Sequence, residues 1–465
     1  MPKLKAVFMC QQCGAQSIKW AGRCASCEGW NTLVEEVVEE PSRAEAVPQE
    51  AVHPTTLAEV EIDETLRIQT GIGEFDRVLG GGLVPGSVTL LGGEPGIGKS
   101  TLLLSMAGRL SERGLSVLYV SGEESLRQTK LRAARLGLGQ SAVKLLAHTS
   151  LSTIEAAMRS AAAQIVIVDS IQVIESSDLA SSPGSISQVR ACAHALTQLV
   201  KTTGCALLLV GHITKEGFLA GPKVLEHMVD TVLYFEGEPT SGFRLLRTTK
   251  NRFGATYELG VFHMSAEGLV EVTNPSELFL SDRTESTPGC MVAVTMEGSR
   301  SLLVELQALT APCTTGLPRR KVNGVDVNRV AMLLAVLERR AGLGQLSQQD
   351  VFVSSLGGVR VIEPACDLAI ALAIASSVKE RSGIRTDVAI GEVGLTGEVR
   401  PVLNLAQRIH EAKRVGFQRC IVAATKTRIP TDGMDVIAVR DVREAMTVAL
   451  QGRSPAAVMA TPASP

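Results

Sequence analysis

Apolar positions along the chain fall into short blocks separated by longer amphipathic stretches. Six blocks read as buried strands: residues 88–91, 116–121, 164–169, 205–211, 231–235 and 243–248. Short apolar runs bounded by polar or Gly-containing segments suit strands covered on both faces. A helical stretch, Thr101-Leu102-Leu103-Leu104-Ser105-Met106-Ala107, follows the first block, and further helical stretches separate the next four. That alternation predicts a mostly parallel sheet covered by helices, an α/β domain. Nearer the C-terminus, residues 291–296 and 302–306 predict paired strands joined across Glu297-Gly298-Ser299-Arg300. Val330, Leu333, Leu334 and Leu337 share one face of a helix over 327–340. Residues 364–378 form an Ala-rich, more fully buried helix, and 404–415 and 442–450 shorter ones. The mixture predicts a second unit of α+β or α/β type.

Composition adds bounds to this pattern. At 465 residues the chain is long enough for about three units, taking roughly 150 residues per domain. Hydrophobic residues make up 45% and aromatics only 3%, so more than one core is expected, built on Ala, Leu, Val and Ile. The net charge is −2, so any nucleic-acid site must be a local basic patch. No apolar run reaches about 18 residues, which predicts no membrane span. Met1-Pro2-Lys3-Leu4-Lys5 carries charge without an apolar segment before Cys10, so no signal peptide is expected. The expected compartment is the cytoplasm, where thiols stay reduced.

Chemistry first enters between the block at 88–91 and the helix after it. Gly93-Glu94-Pro95-Gly96-Ile97-Gly98-Lys99-Ser100-Thr101 fits G-x-x-x-x-G-K-[ST], the Walker A pattern, in its strand–turn–helix setting. The glycines let successive N–H groups turn toward one anion, and the helix N-terminus adds a favourable partial charge. Lys99 is expected to reach the β- and γ-phosphates of ATP and Ser100 to ligate Mg²⁺. Ile165-Val166-Ile167-Val168-Asp169 is an apolar strand ending in a carboxylate, as a Walker B strand does, so Asp169 is expected to hold Mg²⁺ through water, although strand-end Asp residues also occur for other reasons. Glu123 and Glu124 follow another strand end. There a carboxylate can orient and deprotonate the attacking water, or merely complement a helix dipole. His212 ends a third core strand and either senses the γ-phosphate or is a satisfied structural histidine. Residues 214–226 carry few core signals and read as a loop on the functional edge. Arg244 to Arg252 is the most basic strand-and-turn of the unit, suited to DNA phosphates, to a neighbour's ATP, or to a solvated edge.

Cys10, Cys13, Cys24 and Cys27 form C-x2-C-x10-C-x2-C. Two thiolate pairs on tight turns can close a tetrahedron around Zn²⁺, the other readings being two disulfides or an iron–sulfur site, and so short a segment would fold only with its metal. Trp20 and Trp30 are expected to pack its small core, the alternative being a stacking surface. Beyond them, Glu35, Glu36, Glu39, Glu40, Glu45 and Glu50 mixed with Pro41, Pro48 and Pro54 read as an acidic flexible linker. The expected division is residues 1–30 zinc finger, 31–66 linker, 67–273 ATPase, 274–450 C-terminal domain and 451–465 disordered tail.

Walker A, Glu123-Glu124, Asp169 and Lys250-Asn251-Arg252-Phe253-Gly254, behind a four-Cys motif, resemble the RadA (Sms) family of bacterial DNA-repair proteins over almost the whole chain. The resemblance implies a RecA-like P-loop ATPase core with an N-terminal zinc knuckle and a C-terminal α/β domain. It places Glu123 on the RecA catalytic glutamate, His212 near the residue linking γ-phosphate to the DNA loop, and 214–226 on that loop. It makes Lys250 and Arg252 the functional pair of the K-N-R-F-G segment. It further implies hexameric rings, single-stranded and branched DNA as partners, and branch migration alongside a RecA-type recombinase. The stretch from Gly391 to Val402 is similar to Lon-type proteases. Their Ser and Lys positions fall on Ala365 and Ala406, so the domain is expected to be an inactive scaffold, and Cys366 a buried core thiol. Arg319-Arg320-Lys321 is a basic cluster, either a phosphate contact or a solvated loop. The rival functions are a nucleotide-switched scaffold and an ATP-dependent peptidase.

Overall fold

The computed structural model describes residues 4–10, 15–39, 56, 67–212, 224–237, 242–265, 268–280, 287–313, 316–358, 360–426, 428–429 and 431–450. Cys13, residues 214–223 of the expected loop, most of the linker and the tail lie outside the described residues. The chain divides into two compact units, Met1–Thr273 and Asn274–Pro465.

At the N-terminus β1 (Leu4–Cys10), β2 (Gln16–Ser17) and β3 (Leu33–Glu39) form an antiparallel sheet in the order β2-β1-β3. Strands β1 and β3 pair from Leu4 with Glu39 to Cys10 with Leu33. The structure therefore corrects the expected boundary at residue 31: β3 lies inside the stretch read as linker. Its apolar residues come in pairs, Leu33-Val34 and Val37-Val38, so no period-2 alternation announces the strand. Of Leu33, Val34 and Glu35 only Leu33 is buried.

The ATPase sheet has nine strands: β4 (Val88–Gly93), β5 (Val117–Ser121), β6 (Lys144–Ala147), β7 (Ile165–Asp169), β8 (Ala206–His212), β9 (Thr231–Glu236), β10 (Phe243–Asn251), β11 (Leu259–Ser265) and β12 (Gly268–Glu271). Their order is β12-β11-β10-β9-β4-β8-β7-β5-β6. The strands from β9 to β6 are parallel, and β10, β11 and β12 continue from β9 antiparallel. Helices α1 (Gly73–Leu79), α2 (Lys99–Glu112) and α3 (Leu126–Arg135) cover one face, and α4 (Leu151–Ala161), α5 (Ile186–Thr203) and α6 (Val224–Met228) the other. Alternation along each strand feeds two cores. Leu91, Val117, Tyr119 and Ile167 pack on the first side; Leu90, Leu118, Val120 and Val168 pack on the second. Strands apolar on both faces are what this burial requires.

In the second unit, α7 (Pro275–Leu278) precedes β13 (Cys290–Glu297), β14 (Arg300–Pro312) and β15 (Arg320–Asn323). There follow α8 (Val327–Arg340), β16 (Gln349–Ser355), α9 (Asp367–Lys379), β17 (Asp387–Ile390) and a hairpin of β18 (Glu392–Val393) and β19 (Val399–Arg400). The chain continues through α10 (Leu405–Val415), β20 (Arg419–Ala423), β21 (Asp435–Val439) and α11 (Val442–Leu450). Seven of the strands make one mixed sheet, β15-β16-β14-β13-β17-β20-β21. Arg408 on α10 is fully buried and pairs with Glu363, while donating to the Val294 carbonyl at 2.6 Å. Glu363 also accepts from the Met296 N–H at 2.9 Å. Arg408→Ala would leave that carboxylate without its cation and should destabilise this unit by about 3 kcal/mol, read as a lower urea midpoint.

No helix among the described residues is long and apolar enough to cross a membrane.

Candidate nucleotide site and zinc ribbon

Four adjacent parallel strands deliver the site at their C-terminal ends. In the order β4, β8, β7, β5 they end in the Gly93 loop, His212, Asp169 and the Glu123 turn. Crevices outside the carboxyl ends of parallel strands are where α/β sheets bind ligands. Gly98 precedes α2 with φ +116° and its α-carbon faces Met264 Cε, 3.0 Å from where a Cβ would stand. Only glycine combines that backbone with that contact.

The Lys99 ammonium is buried. It donates to the Gly93 and Glu94 carbonyls at 2.7 and 2.9 Å and meets His212 Nδ1 at 3.2 Å. Burial pulls its pKa down to about 8, against the opposing pull of the Asp169 and Glu123 carboxylates. His212 Nε2 stands 3.0 Å from Glu123 Oε1, so one imidazole bridges the cation and the carboxylate. An Nε2–H tautomer satisfies both, accepting from Lys99 and donating to Glu123. The Ser170 hydroxyl donates to the same Oε1 at 2.5 Å. Burial pushes the Glu123 carboxyl up, but the hydrogen bonds from Ser170 and His212 outweigh it and the net shift is downward. Glu123 is thus held as a carboxylate, the state a water-orienting base needs. Asp169 accepts from the Tyr119 hydroxyl at 2.6 Å, and burial together with that charge pushes the phenol well up. The Ser100 hydroxyl makes no hydrogen bond to another described residue.

The structure thus gathers Lys99, His212, Glu123 and Asp169. Glu124 pairs instead with Arg132 on α3. A glutamine at 123 keeps an oxygen for Ser170 and His212 but cannot accept the water's proton. Glu123→Gln should lower kcat about 10²-fold with ATP affinity retained, measured by steady-state turnover beside nucleotide titration.

Lys250 and Arg252 are not brought to this loop. Lys250 pairs with Val232, and Val232 with Leu90, three residues before Gly93. At about 3.3 Å per residue, that sets Lys250 roughly 10 Å down the strand from the phosphate loop of its own chain. Its ammonium donates to the Glu226 and Val229 carbonyls at the end of α6, at 2.6 and 2.8 Å. Burial and Arg252 beside it lower its pKa. Arg252 pairs with Asp230 at 3.3 Å and keeps most of its side chain in solvent.

In the N-terminal module the Cys10, Cys24 and Cys27 sulfurs lie within 4.8 Å of one another, with Cys10 and Cys27 3.6 Å apart. Zinc–thiolate bonds of about 2.3 Å in a tetrahedron set sulfurs about 3.8 Å apart, so the cluster fits Zn²⁺. The Ser26 N–H approaches Cys24 Sγ at 3.4 Å, the kind of outer contact that orients a thiolate ligand. Trp20 and Trp30 do not fill this module's core. They are 58% and 71% exposed, and Cys10, Cys24 and Leu33 are packed by Phe8, Ala15 and Cys27 instead.

In the C-terminal unit Ala365 is buried, and Ala406 opens on a cleft with Gln407, His410 and Asp432. Neither methyl group can attack or take a proton. Cys366 is fully buried, which with Glu363 nearby pushes its thiol up to about 12. Two of the three residues in the basic cluster are committed to the protein: Arg319 donates through Nε and Nη2 to Asp350 Oδ2, and Arg320 donates to the Leu346 carbonyl. Lys321 is exposed on β15 and makes no hydrogen bond to another described residue.

Three family models match: the AAA domain over residues 55–217, the rubredoxin metal binding domain over 8–35, and subunit ChlI of Mg-chelatase over 357–426. Sheet, loop and cysteines together define a P-loop ATPase with a RecA-like core, an N-terminal zinc ribbon and a C-terminal Lon-protease-like α/β domain, binding ATP and Zn²⁺. The chain is 49% identical over 459 residues to DNA repair protein RadA of Bacillus subtilis (strain 168), covering 97% of this chain and 100% of that protein. It is 45% identical over 450 residues to DNA repair protein RadA of Listeria monocytogenes serovar 1/2a, covering 95% and 98%. Among solved structures, a KaiC-like protein from Pyrococcus horikoshii OT3 matches at 20% identity and TM-score 0.38, over 44% of this chain and 98% of that one. The chain belongs to the RadA family of DNA-repair proteins and is a DNA-repair ATPase.

Sequence reasoning missed Tyr119 and Ser170. Ser170 follows the Walker B aspartate directly, which is a usable signal. Tyr119 carries none, because its partner depends on β5 lying beside β7.

Proposed function

We propose that this protein is a DNA-dependent ATPase motor of recombinational repair, working in the cytoplasm. It binds single-stranded and branched DNA and drives branch migration of intermediates made by a RecA-type recombinase. It works as a hexameric ring in which Lys250 or Arg252 serves DNA or a neighbour's ATP. The observation that carries the reading is the Lys99–His212–Glu123 chain beside Asp169, across the ends of four strands. Residues 67–273 are the motor, and residues 274–450 an inactive Lon-like scaffold for assembly and DNA contact.

In hydrolysis, the 93–101 loop cradles the phosphates with its N–H groups. Lys99 leaves the Gly93 and Glu94 carbonyls for the β- and γ-phosphates. Ser100 and Asp169 would hold Mg²⁺, which supplies charge neutralisation at the phosphates; the Ser100 hydroxyl and one Asp169 oxygen carry no hydrogen bond to a described residue and suit that task. Glu123 orients water in line with the γ-phosphate and takes its proton. His212 touches both Lys99 and Glu123, so a γ-phosphate that draws Lys99 away also changes the contact at the base of the 213–223 segment.

The test is ATP turnover with and without single-stranded DNA, beside Lys99→Ala. Strong stimulation of the wild type, absent in the variant, is the expected result. A rate indifferent to DNA overturns the motor and leaves a nucleotide-switched scaffold.

A further inference from the structure

Among the described residues, a single group holds the Asp169 carboxylate. The Tyr119 hydroxyl donates to its Oδ2 at 2.6 Å, and no described residue donates to Oδ1. Tyr119 lies in the middle of β5, in register with Ile167 of β7, two residues before Ser121 pairs with Asp169. Its ring is 2% exposed and belongs to the core beneath α2, with Leu102, Leu103 and Met106. An aromatic side chain so packed has little freedom at either of its two side-chain torsions, so its hydroxyl is a fixed point. Asp169 itself ends β7, where the chain leaves the sheet.

A carboxylate at a strand end with one hydroxyl partner and one open oxygen is arranged asymmetrically. The partner selects which oxygen is used internally and which remains.

We propose that Tyr119 is a positioning residue for the metal-binding carboxylate: it anchors Asp169 by Oδ2 and leaves Oδ1 for Mg²⁺ or its water. The inference rests on the reading of Asp169 as the Mg²⁺ residue. Outer partners of this kind orient metal-binding groups, and their loss typically weakens metal binding 10- to 100-fold. Tyr119 is buried in the core and meets the site through its hydroxyl on Asp169, so its effect on metal passes through that carboxylate.

The experiment uses the full chain loaded with ADP and follows Mn²⁺ binding by electron paramagnetic resonance, without DNA and without turnover. Tyr119→Phe keeps the ring and removes the hydroxyl. It should weaken Mn²⁺ binding about tenfold, while ADP affinity in excess chelator stays within about twofold of wild type. In ATP turnover the Mg²⁺ needed for half-maximal rate should rise by the same factor, and excess Mg²⁺ should restore kcat. Asp169→Asn is measured alongside and should lose Mn²⁺ more severely. If Asp169→Asn is weakened and Tyr119→Phe is not, the role given to Tyr119 fails while Asp169 keeps its own. If Asp169→Asn binds Mn²⁺ like wild type, both assignments fall. A Tyr119→Phe chain that loses metal-free ADP affinity as well shows a structural role, and that too overturns the proposal.

Discussion

Lys99→Ala should reduce ATP turnover roughly 10³-fold in kcat/KM, because the charge removed is the one aimed at the transferring phosphoryl group. Lys99 is already desolvated and cross-links the loop through two carbonyls, so its charge stands at the phosphate loop before nucleotide arrives. A second arm of this prediction concerns pH. Burial pulls the ammonium's pKa down to about 8. Phosphates bound beside it favour the charged form and raise that value. Below pH 8 the lysine is protonated both with and without ATP, and binding takes up no proton there. Above pH 8 the empty form loses its proton, and binding must restore it. ATP affinity of the wild type should therefore fall as pH rises past 8, by up to about tenfold per unit. Lys99→Ala should be flat over the same range. Nucleotide titration at pH 7, 8 and 9 checks both, and a wild-type affinity that ignores pH would remove Lys99 from phosphate contact.

Stripping the metal from the N-terminal module should unfold it. Its core is little more than Cys10, Cys24 and Leu33, packed by Phe8, Ala15 and Cys27. Structural zinc in such modules contributes roughly 10–16 kcal/mol of binding free energy that is also folding free energy. No apolar set of this size replaces it. Chelation, or Cys24→Ser, should release one zinc per chain and abolish amide protection along β1 and β3. The two large cores of the ATPase contain none of these residues, so ATP binding should persist within about twofold. A ribbon that keeps its protection after zinc is gone would mean that the β1–β3 pairing stands alone.

The parts of the fold that can be read in the chain are those whose signal is contiguous. The loop at 93–101 carries its own glycines and lysine, and the strands that flank it are apolar because both faces are covered. Strand ends at His212, Asp169 and Glu123 mark where chemistry can gather, since polar residues closing apolar runs face one crevice. What escapes is whatever depends on lateral order. Tyr119 reaches Asp169 only because β5 neighbours β7, and no pattern along the chain encodes that adjacency. The same holds for Lys250, whose ammonium ends on α6 and not at a phosphate. Edge strands also escape: β6 is half-exposed and β15 reads as a basic cluster, because an edge needs no apolar face. Strand β3 hides among glutamates for a related reason, its paired apolar residues mimicking neither a strand nor a helix.

Both tryptophans of the chain, Trp20 and Trp30, sit exposed on the zinc ribbon. Optically, then, a 465-residue protein has a single window. Light at the red edge of the absorption band excites indole and leaves the three tyrosines dark, so the emitted signal comes from the ribbon alone. A change of that emission on adding ATP would report that the ribbon feels events in the ATPase. Silence on adding ATP, with a change on adding DNA or a recombinase, would name the ribbon's own partner without any label attached.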